Sequence, residues 1–310
     1  MMKVLITGGS GLVGSAIKSI QDDYPQYELF MPSIEHCNLL DSLDVDEVMY
    51  THKPDWVIHL AANVGGLYKN MNQPVQMFES NMIMNMNVLR ACHDHGVKNF
   101  VGCLSTCIFP DNITYPINET QLHAGAPHES NAAYAHAKRM LQVQCEAYNN
   151  MHDHNYNCVV PTNIYGDNDN YNLEDSHVIP GLIHRCYLAK QQNRPFVVRG
   201  TGSVLRQFIH ATDLAHSILQ LLPKLNKDVI IIAGDGDEVT IKDVAIMIAK
   251  QFDYVDKIRF DHAYSDGQHK KTADVTKYRS YLPDYTFMNI EQGIAETVEH
   301  FKTNYDNCRK

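Results

Sequence analysis

The sequence has few positive charges and no long hydrophobic run. Lys and Arg number 26 against 36 Asp and Glu, so the 310 residues carry a formal net charge of −10. This acidic balance argues against nucleic acid or an anionic membrane as the main partner. No apolar stretch reaches the roughly 18 to 20 residues of a membrane span, and Lys3 is followed at once by a short apolar run and a glycine-rich turn. We therefore expect neither a transmembrane helix nor a signal peptide.

Cysteine is also sparse: eight residues are scattered along the chain without a disulfide-like spacing. In a chain without an export signal, such thiols are expected to be reduced, which favours a cytoplasmic protein. Five of them are interpreted as small buried apolar residues, namely Cys92, Cys103, Cys145, Cys158 and Cys186.

Histidine is abundant, with 17 residues, and it is densest at His152 and His154. These two residues lack a third ligand at a useful spacing, so no metal site is expected there. We interpret the segment as a polar, exposed connection at a helix end.

The first informative pattern is a glycine-rich turn between an apolar run and a helix. Residues 3–7 have the composition of a buried strand, and residues 12–20 have helical spacing. Gly8 allows a tight turn, Gly11 lets the backbone approach a phosphate, and Gly14 lets the helix pack on the strand. The helix N-terminus then faces an anion. The predicted dinucleotide-binding residues of this turn are Gly8, Gly9, Ser10, Gly11, Leu12, Val13 and Gly14.

A second pattern is Tyr134 followed one helical turn later by Lys138. An ammonium beside a phenol lowers the phenol pKa from its reference near ~10, so we expect Tyr134 to exchange a proton at neutral pH. Such a pair suits the interconversion of a carbonyl and an alcohol. The spacing alone occurs by chance on many helices, and it gains meaning beside a turn that binds a hydride-carrying dinucleotide.

The order of elements predicts the fold. Strands are expected at residues 56–60, 99–104 and 158–161, with long helices at 74–95 and 133–150. Alternating strands and helices indicate an α/β Rossmann-type fold, a doubly wound parallel sheet. After residue 163 the loops lengthen, and helices at 178–192, 240–252 and 290–304 indicate a smaller α/β C-terminal substrate lobe. We assign residues 1–162 to the cofactor domain and 163–310 to the lobe, partly interleaved with the first.

Ligands bind at the carboxyl ends of the strands of such sheets, where the glycine turn, Ser105 and Asn163 are all predicted to lie. Ser105, Tyr134 and Lys138 resemble the hydride-transfer triad of the extended short-chain dehydrogenase/reductase superfamily, whose members act largely on nucleotide sugars. Within it, five segments resemble the GDP-L-fucose synthase family: residues 60–66, 104–110, 161–166, 176–180 and 206–210. Cys107 and His177 are additions specific to that family.

The resemblance implies an NADPH-dependent oxidoreductase and epimerase that converts GDP-4-keto-6-deoxy-D-mannose to GDP-L-fucose. The ketone at carbon 4 acidifies the hydrogens at carbons 3 and 5, and Ser105 and Tyr134 can stabilise the resulting enolate. Cys107 and His177, with reference pKa values near ~8.5 and ~6.5, can each carry a proton at neutral pH. The resemblance favours Cys107 as base and His177 as acid, and leaves open which acts in each role at each carbon.

The resemblance also implies the remaining contacts. Beyond the glycine turn, the implied cofactor contacts are Asn38, Leu39, Leu104, Ser105, Tyr134, Lys138, Pro161, Asn163, Ile164 and His177. The implied substrate contacts are Asn163, Arg185, Arg199, Arg206, Asp266 and Lys271. The planar fork of arginine suits a diphosphate.

Two departures from the expected patterns stand out. Arg199 occupies a position where the family often has tryptophan, so an apolar wall is lost. The end of the second strand, at residues 29–33, has no acidic residue to hold ribose hydroxyls, which favours NADPH over NADH.

The two long helices carry apolar stripes formed by Met77, Met84 and Val88, and by Leu141, Val143 and Tyr148. The superfamily resemblance implies that they pair as a four-helix homodimer interface; packing under the subunit's own sheet is the alternative. Two other functions stay open: a nucleotide-sugar 4-epimerase, which needs neither Cys107 nor His177, and a non-catalytic NADP-binding regulator.

Overall fold

A six-stranded parallel sheet forms the centre of the molecule. The computed structural model describes residues 1–234, 238–264 and 270–310. Its strands are β1 (Met2–Thr7), β2 (Tyr27–Phe30), β3 (Trp56–His59), β4 (Asn99–Cys103), β5 (Asn155–Pro161), β6 (Asn163–Tyr165), β7 (Phe196–Arg199), β8 (Leu205–Arg206), β9 (Phe208–His210), β10 (Val229–Ile232), β11 (Val239–Thr240) and β12 (Ile258–Asp261).

Helices follow most of the strands. They are α1 (Leu12–Ser19), α2 (Ser42–His52), α3 (Leu67–Asn72), α4 (Pro74–Asp94), α5 (Ala132–His152), α6 (Val178–Gln191), α7 (Ala211–Leu221), α8 (Ile241–Lys250), α9 (Thr276–Tyr281) and α10 (Ile290–Thr303). In the described part of the chain, none is both long and apolar enough to cross a membrane.

The strand order of the large sheet is β10-β5-β4-β3-β1-β2, and every neighbouring pair is parallel. The prediction of an α/β Rossmann-type doubly wound sheet is confirmed. The chain adds β2 on one side of β1 and β3 on the other, so the order switches direction there. A crevice for a ligand is expected outside the carboxyl ends of strands at such a switch point.

Helices cover both faces of this sheet. On one face, α1 and α7 pack together over a core that includes Val4, Ile6 and Leu214. On the other face, α2, α4 and α5 pack over Leu5, Val57 and other buried residues. A third cluster joins α6, α8 and α10 with β7 and β12. Strand β10 and helix α7, which come late in the chain, are therefore built into the layers of the large sheet.

The apolar stripes of the two long helices are mostly internal. Met77, Val88 and Leu141 are completely buried within the subunit. The interpretation of these three residues as a dimer surface is therefore wrong, because each is buried inside the subunit, and Val88 and Leu141 pack in the core against the large sheet. Val143 is exposed, and so are four α4 residues that the stripe did not include: Val75, Phe78, Ile83 and Met86.

The histidine-rich end of α5 is not the exposed connection that was expected. His154 is only 2% exposed. Its ring stacks on Tyr156, and its Nε2 lies 2.9 Å from Nδ1 of His93. The polar sequence around it was misleading because stacking and hydrogen bonding bury the ring. The interpretation of Cys92, Cys103, Cys145, Cys158 and Cys186 as buried apolar residues is confirmed.

Candidate active site

The glycine turn after β1 packs closely against the start of helix α1. Gly8 has a φ of +75°, a region that suits glycine, and the Gly11 amide donates a 3.0 Å hydrogen bond to the Gly8 carbonyl oxygen. A Cβ on Gly14 would overlap the backbone of Gly8 and Gly9. Gly11 caps α1 without a side-chain hydrogen bond, so the first N–H groups of the helix face the crevice. A diphosphate fits this turn.

The crevice at the switch point has a volume of about 1050 Å³. This lies at the upper end of the roughly 300–1,000 Å³ found for ordinary ligand sites, and it leaves room for an extended ligand such as a dinucleotide. Of the predicted cofactor residues, all except Gly9 line it. Gly9 instead faces Met31, whose side chain a Cβ at that position would strike.

The predicted substrate residues Asn163, Arg185, Arg199, Arg206 and Lys271 also line the crevice. Asp266 lies outside the described residues. The structure thus brings together side chains from strands, from helix α6 and from connecting segments that are far apart in the sequence.

Ser105, Tyr134 and Lys138 meet at the end of β4. Ser105 caps a short 3-10 turn, Thr106–Ile108, and its Oγ accepts a long 3.5 Å hydrogen bond from the Cys107 amide. The Lys138 ammonium lies 6.0 Å from the Tyr134 ring centroid and donates a 2.9 Å hydrogen bond to the Cys103 carbonyl oxygen. Lys138 is 1% exposed, so its charge is held inside the protein.

The expectation of a lowered phenol pKa is wrong for this arrangement. Burial raises the pKa of Tyr134 well above its ordinary value, and Cys107 and Cys103 raise it further. Burial also lowers the pKa of Lys138. One helical turn of separation brings the lysine near the ring, but the ammonium bonds to a backbone carbonyl, and exclusion of water opposes the phenolate.

Helix α5 is held in place by a chain of buried polar groups that sequence reasoning missed. Thr7 at the end of β1 bonds His59 Nδ1 over 2.7 Å, and His59 Nε2 lies 3.1 Å from Asn85 Oδ1 on α4. Asn85 Nδ2 in turn donates to the carbonyl oxygen of Ala137 on α5 over 3.3 Å. Burial lowers the pKa of His59 to about 3, so the ring is neutral. The glycine turn and the Tyr134 helix therefore share one rigid network.

Cys107 and His177 occupy the crevice with opposite pKa shifts. Burial raises the pKa of the Cys107 thiol, and the Lys271 ammonium is the largest influence opposing it. Crowding by the crevice walls lowers the pKa of His177, and the nearby charge of Arg309 lowers it further. His177 precedes α6, but its side chain makes no capping hydrogen bond. Its ring is exposed to the solvent of the crevice.

The cationic residues form the far wall. The Arg199 guanidinium lies 4.8 Å from the ring centroid of Tyr264, a cation–π contact that the sequence did not indicate. Burial and the charge of Arg206 lower the pKa of Lys271, while the Cys107 thiol acts in the opposite direction. An anionic group bound here would relieve this repulsion between two cations.

Asp169 is a further crevice residue that sequence reasoning missed. It is 3% exposed, and its Oδ1 accepts a 2.7 Å hydrogen bond from the Asn170 amide. Its Oδ2 is buried and has no hydrogen-bond partner among the described residues. Burial raises the pKa of this carboxyl to about 7. The only sequence signal was its place in an Asn- and Asp-rich loop, which usually indicates exposed polar residues.

Known proteins with similar sequence or structure point in one direction. Residues 4–233 match the model of the NAD dependent epimerase/dehydratase family. The chain is 46% identical to a GDP-L-fucose synthase of Dictyostelium discoideum, covering 99% of this chain and 97% of that protein. It is 42% identical to a probable GDP-L-fucose synthase of Drosophila melanogaster, covering 100% of both.

A solved structure gives the same result at the level of the fold. The GDP-L-fucose synthetase of Naegleria fowleri bound to NADP superimposes with a TM-score of 0.93 and 40% identity. The match covers 100% of this chain and 95% of the other. The similarity therefore includes both the large sheet and the smaller lobe.

Proposed function

The chain belongs to the GDP-L-fucose synthases of the NAD dependent epimerase/dehydratase family, and from this premise we propose that it converts GDP-4-keto-6-deoxy-D-mannose to GDP-L-fucose. One observation carries the proposal: Cys107 and His177 line the same crevice as Ser105, Tyr134 and Lys138. Hydride transfer needs only Ser105, Tyr134 and Lys138. The thiol and the imidazole add the proton exchange that epimerisation at carbons 3 and 5 requires.

The cofactor of this enzyme is NADPH. Its diphosphate would lie on the glycine turn and the N-terminus of α1, and its adenine end beside Asn38 and Leu39, which line the crevice. When bound, it supplies the hydride for carbon 4 of the sugar. Pro161, Asn163 and Ile164 follow β5 and border the same space, so they would position its nicotinamide end.

Epimerisation depends on two faces of the sugar. Cys107 as thiolate would remove the hydrogen beside the ketone, and the electron pair of that bond would pass into an enolate. Ser105 and Tyr134 would donate hydrogen bonds to the enolate oxygen. His177 as imidazolium would return a proton to the opposite face, which inverts the carbon. The pair would act once at each of the two carbons, with the sugar re-seating between the two inversions and the Cys107 thiol and neutral His177 returning to thiolate and imidazolium by proton exchange with solvent.

Reduction uses the same donors. Tyr134 would give its proton to the carbon 4 oxygen, and its raised pKa keeps that proton on the phenol until it is needed. Lys138 would hold Tyr134 and the ribose in place. Arg185, Arg199, Arg206 and Lys271 would bind the diphosphate and guanine end of the substrate, with Asp266 as a further contact.

We further propose that residues 1–162 form the cofactor domain and residues 163–310 the substrate lobe, interleaved through β10 and α7. All eight cysteines are free thiols, which accords with a cytoplasmic enzyme.

A homodimer is proposed as the working form. The support is an exposed apolar face on the paired helices α4 and α5, formed by Val75, Phe78, Ile83, Met86 and Val143. A second copy would bury this face. In sedimentation experiments Ile83→Glu should give monomers, whereas Val255→Glu, at an exposed valine elsewhere, should not. A monomeric wild type would contradict this proposal.

The decisive experiment uses heavy water. The protein is incubated with GDP-4-keto-6-deoxymannose and NADPH, while NADPH loss and deuterium at carbons 3 and 5 are followed by absorbance and NMR. Wild type should show both signals. Tyr134→Phe should abolish NADPH oxidation, and Cys107→Ser should abolish deuterium incorporation.

Two matched variants control for general damage. Tyr148→Phe changes a half-buried tyrosine of the same helix, and Cys308→Ser changes the other half-buried cysteine. Both should behave as wild type. Full deuteration by Cys107→Ser would remove Cys107 from the proposed mechanism, and deuteration without net NADPH oxidation by wild type would contradict the reductase assignment.

A further inference from the structure

Two adjacent cationic residues of helix α5 bind opposite ends of the turn that carries Cys107. The Lys138 ammonium donates to the carbonyl oxygen of Cys103, which comes just before the turn. The Arg139 guanidinium donates through Nε to the carbonyl oxygen of Ile108, which comes directly after Cys107. Neighbouring positions on a helix point about 100° apart, so the two side chains reach the turn at different points. The turn is therefore anchored to α5 at both ends.

Arg139 also reaches the base of the loop that follows the turn. Its Nη1 donates a 2.7 Å hydrogen bond to the carbonyl oxygen of Gly125, where the loop returns. Beside this point the Asp111 amide donates to the Ala126 carbonyl oxygen over 2.9 Å, which joins the outgoing and returning ends of the loop. One side chain therefore links helix α5, the turn and the base of the loop.

The guanidinium of Arg139 is buried without an acidic partner. The residue is 5% exposed, and it forms no ion pair with any residue that the structure describes. Its Nη2 is buried and has no hydrogen-bond partner among those residues. Burying an unpaired charge costs stability, and two backbone carbonyls offset only part of that cost. An arginine at this position is therefore better explained by what it holds in place than by a gain in stability.

The two ends of the turn depend on different anchors. Ser105 lies close to β4, where the Leu104 amide donates a 2.8 Å hydrogen bond to the Val159 carbonyl oxygen of the neighbouring strand. Cys107 lies further along, and its amide makes only a long 3.5 Å hydrogen bond to Ser105 Oγ. The anchor next to Cys107 is Arg139. Because Arg139 is not among the described residues that line the crevice, it acts on the thiol only through the turn.

We propose that Arg139 is a positioning residue that holds the Cys107 end of the turn and so controls proton exchange at carbons 3 and 5 separately from hydride transfer. Proton removal needs the Cys107 sulfur within reach of the hydrogen beside the ketone, and a misplacement of about 1 Å can slow such a step roughly 100-fold. Ser105 and Tyr134 keep their own anchors. The consequence for the reaction rests on the proposed function, whereas the anchoring of the turn does not.

The first measurement follows the turn in ligand-free protein. Exchange of backbone amide hydrogens in the peptide covering residues 104–110 is measured by mass spectrometry. Arg139→Met keeps an apolar stem and loses both bonds, so these amides should exchange at least about fivefold faster than in wild type. Arg139→Lys keeps the positive charge but lacks the planar fork that spans two carbonyls, so its exchange rate should be intermediate.

The second measurement separates the two chemical steps. Proton exchange is read from deuterium at carbons 3 and 5 of GDP-4-keto-6-deoxymannose in heavy water, with NADP+ in place of NADPH so that no reduction follows. Hydride transfer is read in the reverse direction, from the initial formation of NADPH from GDP-L-fucose and NADP+, which requires no epimerisation. Arg139→Met should slow deuterium incorporation at least about tenfold and keep the initial rate of GDP-L-fucose oxidation within about threefold of wild type.

Arg279→Met is the matched control. Arg279 also donates to backbone carbonyl oxygens, those of Leu282 and Pro283 over 3.3 Å each, but it is absent from the described residues that line the crevice. This variant should change neither the amide exchange of residues 104–110 nor either chemical step. If Arg139→Met does not fold, Arg139→Lys carries the same comparison.

Unchanged amide exchange and deuterium incorporation in the Arg139 variants would overturn the proposal. An equal loss of both chemical steps would also overturn it, because general damage and not the position of Cys107 would then be responsible. A wild type that neither incorporates deuterium nor oxidises GDP-L-fucose would count against the proposed function. The amide exchange of residues 104–110 needs no substrate, so it decides the anchoring by Arg139 in either case.

Discussion

The ammonium of Lys138 donates a 2.9 Å hydrogen bond to the carbonyl oxygen of Cys103, the last residue of β4. This bond ties helix α5 to the carboxyl edge of the sheet. Ser105 and Cys107 follow β4 directly, and Tyr134 lies one turn before Lys138 on the helix. This contact, together with the Asn85 bond to Ala137, holds the helix that carries Tyr134 relative to the turn that carries Ser105 and Cys107.

Replacing Lys138 should damage activity far more than stability. Lys138→Met loses the bond to Cys103, which costs about 1 to 3 kcal/mol, but it also removes a buried charge that is costly to desolvate. We expect NADPH oxidation to fall at least about 100-fold while the melting temperature changes by only a few degrees.

The control is Lys224→Met, which removes a comparable 2.8 Å bond to the Tyr281 carbonyl oxygen at the surface and should keep full activity. Reductase activity of Lys138→Met within about twofold of wild type would contradict the role of this lysine.

Alanine should be tolerated much less well at Gly14, in the glycine turn, than at Gly96. In Gly14→Ala the new Cβ would overlap the backbone of Gly8 and Gly9, which cannot move without opening the turn. We expect a loss of at least about 2 kcal/mol in the free energy of unfolding and weak NADPH binding.

Gly96→Ala is the matched control, because Gly96 has a φ of +72° with open space around it. It should cost about 1 kcal/mol from backbone strain alone and leave NADPH binding unchanged. Urea titrations and fluorescence titrations with NADPH measure both effects. Equal NADPH affinity in the two variants would refute the close approach of α1 to the turn.

Asp169 makes stability depend on pH in a defined direction. Its carboxyl has a pKa of about 7 in the folded protein. The ordinary value near ~3.9 applies to the unfolded chain, so the folded state binds more protons between these values. Stability should therefore fall as pH rises through this window, because the carboxylate forms in a buried site.

Asp169→Asn should remove this loss and be more stable than wild type above neutral pH. The difference in free energy of unfolding between this variant and wild type should be larger there than at pH 4, by up to a few kcal/mol. The exposed Asp22→Asn should show the pH dependence of wild type. Urea unfolding at a series of pH values measures the difference. Parallel curves for wild type and Asp169→Asn would show that the carboxyl does not titrate in this range.

The aromatic ring of Tyr264 should increase the affinity for substrate by holding Arg199 in place. The cation–π contact holds the Arg199 guanidinium at the crevice wall. We expect Tyr264→Ala to raise KM for the nucleotide sugar several-fold with little change in kcat, and Tyr264→Phe to keep the wild-type KM because it keeps the ring. If Tyr264→Phe were as impaired as Tyr264→Ala, the hydroxyl and not the ring face would be responsible.

Local pattern was sufficient for the framework of this protein. The glycine turn, the long helices and the order of strands follow from periodicity and from the few residues that allow tight turns, and most of their bounds agree with the structure to within two residues. Strand β5 is an exception, since it begins at Asn155, three residues before the predicted start. Asn157 in this strand is buried, and its side chain donates a hydrogen bond to the Phe100 carbonyl oxygen. A polar residue gives no sign of such burial in the sequence, so the start of the strand was predicted too late.

The chemistry inside the crevice was decided by the tertiary structure. Spacing placed Tyr134 one turn from Lys138, but the pKa of the phenol depends on burial and on where the ammonium bonds. The same holds for the Oδ2 of Asp169, which is buried without a hydrogen-bond partner among the described residues. Residue type and spacing determine which groups are available, whereas their protonation depends on desolvation and on charges that only folding brings near.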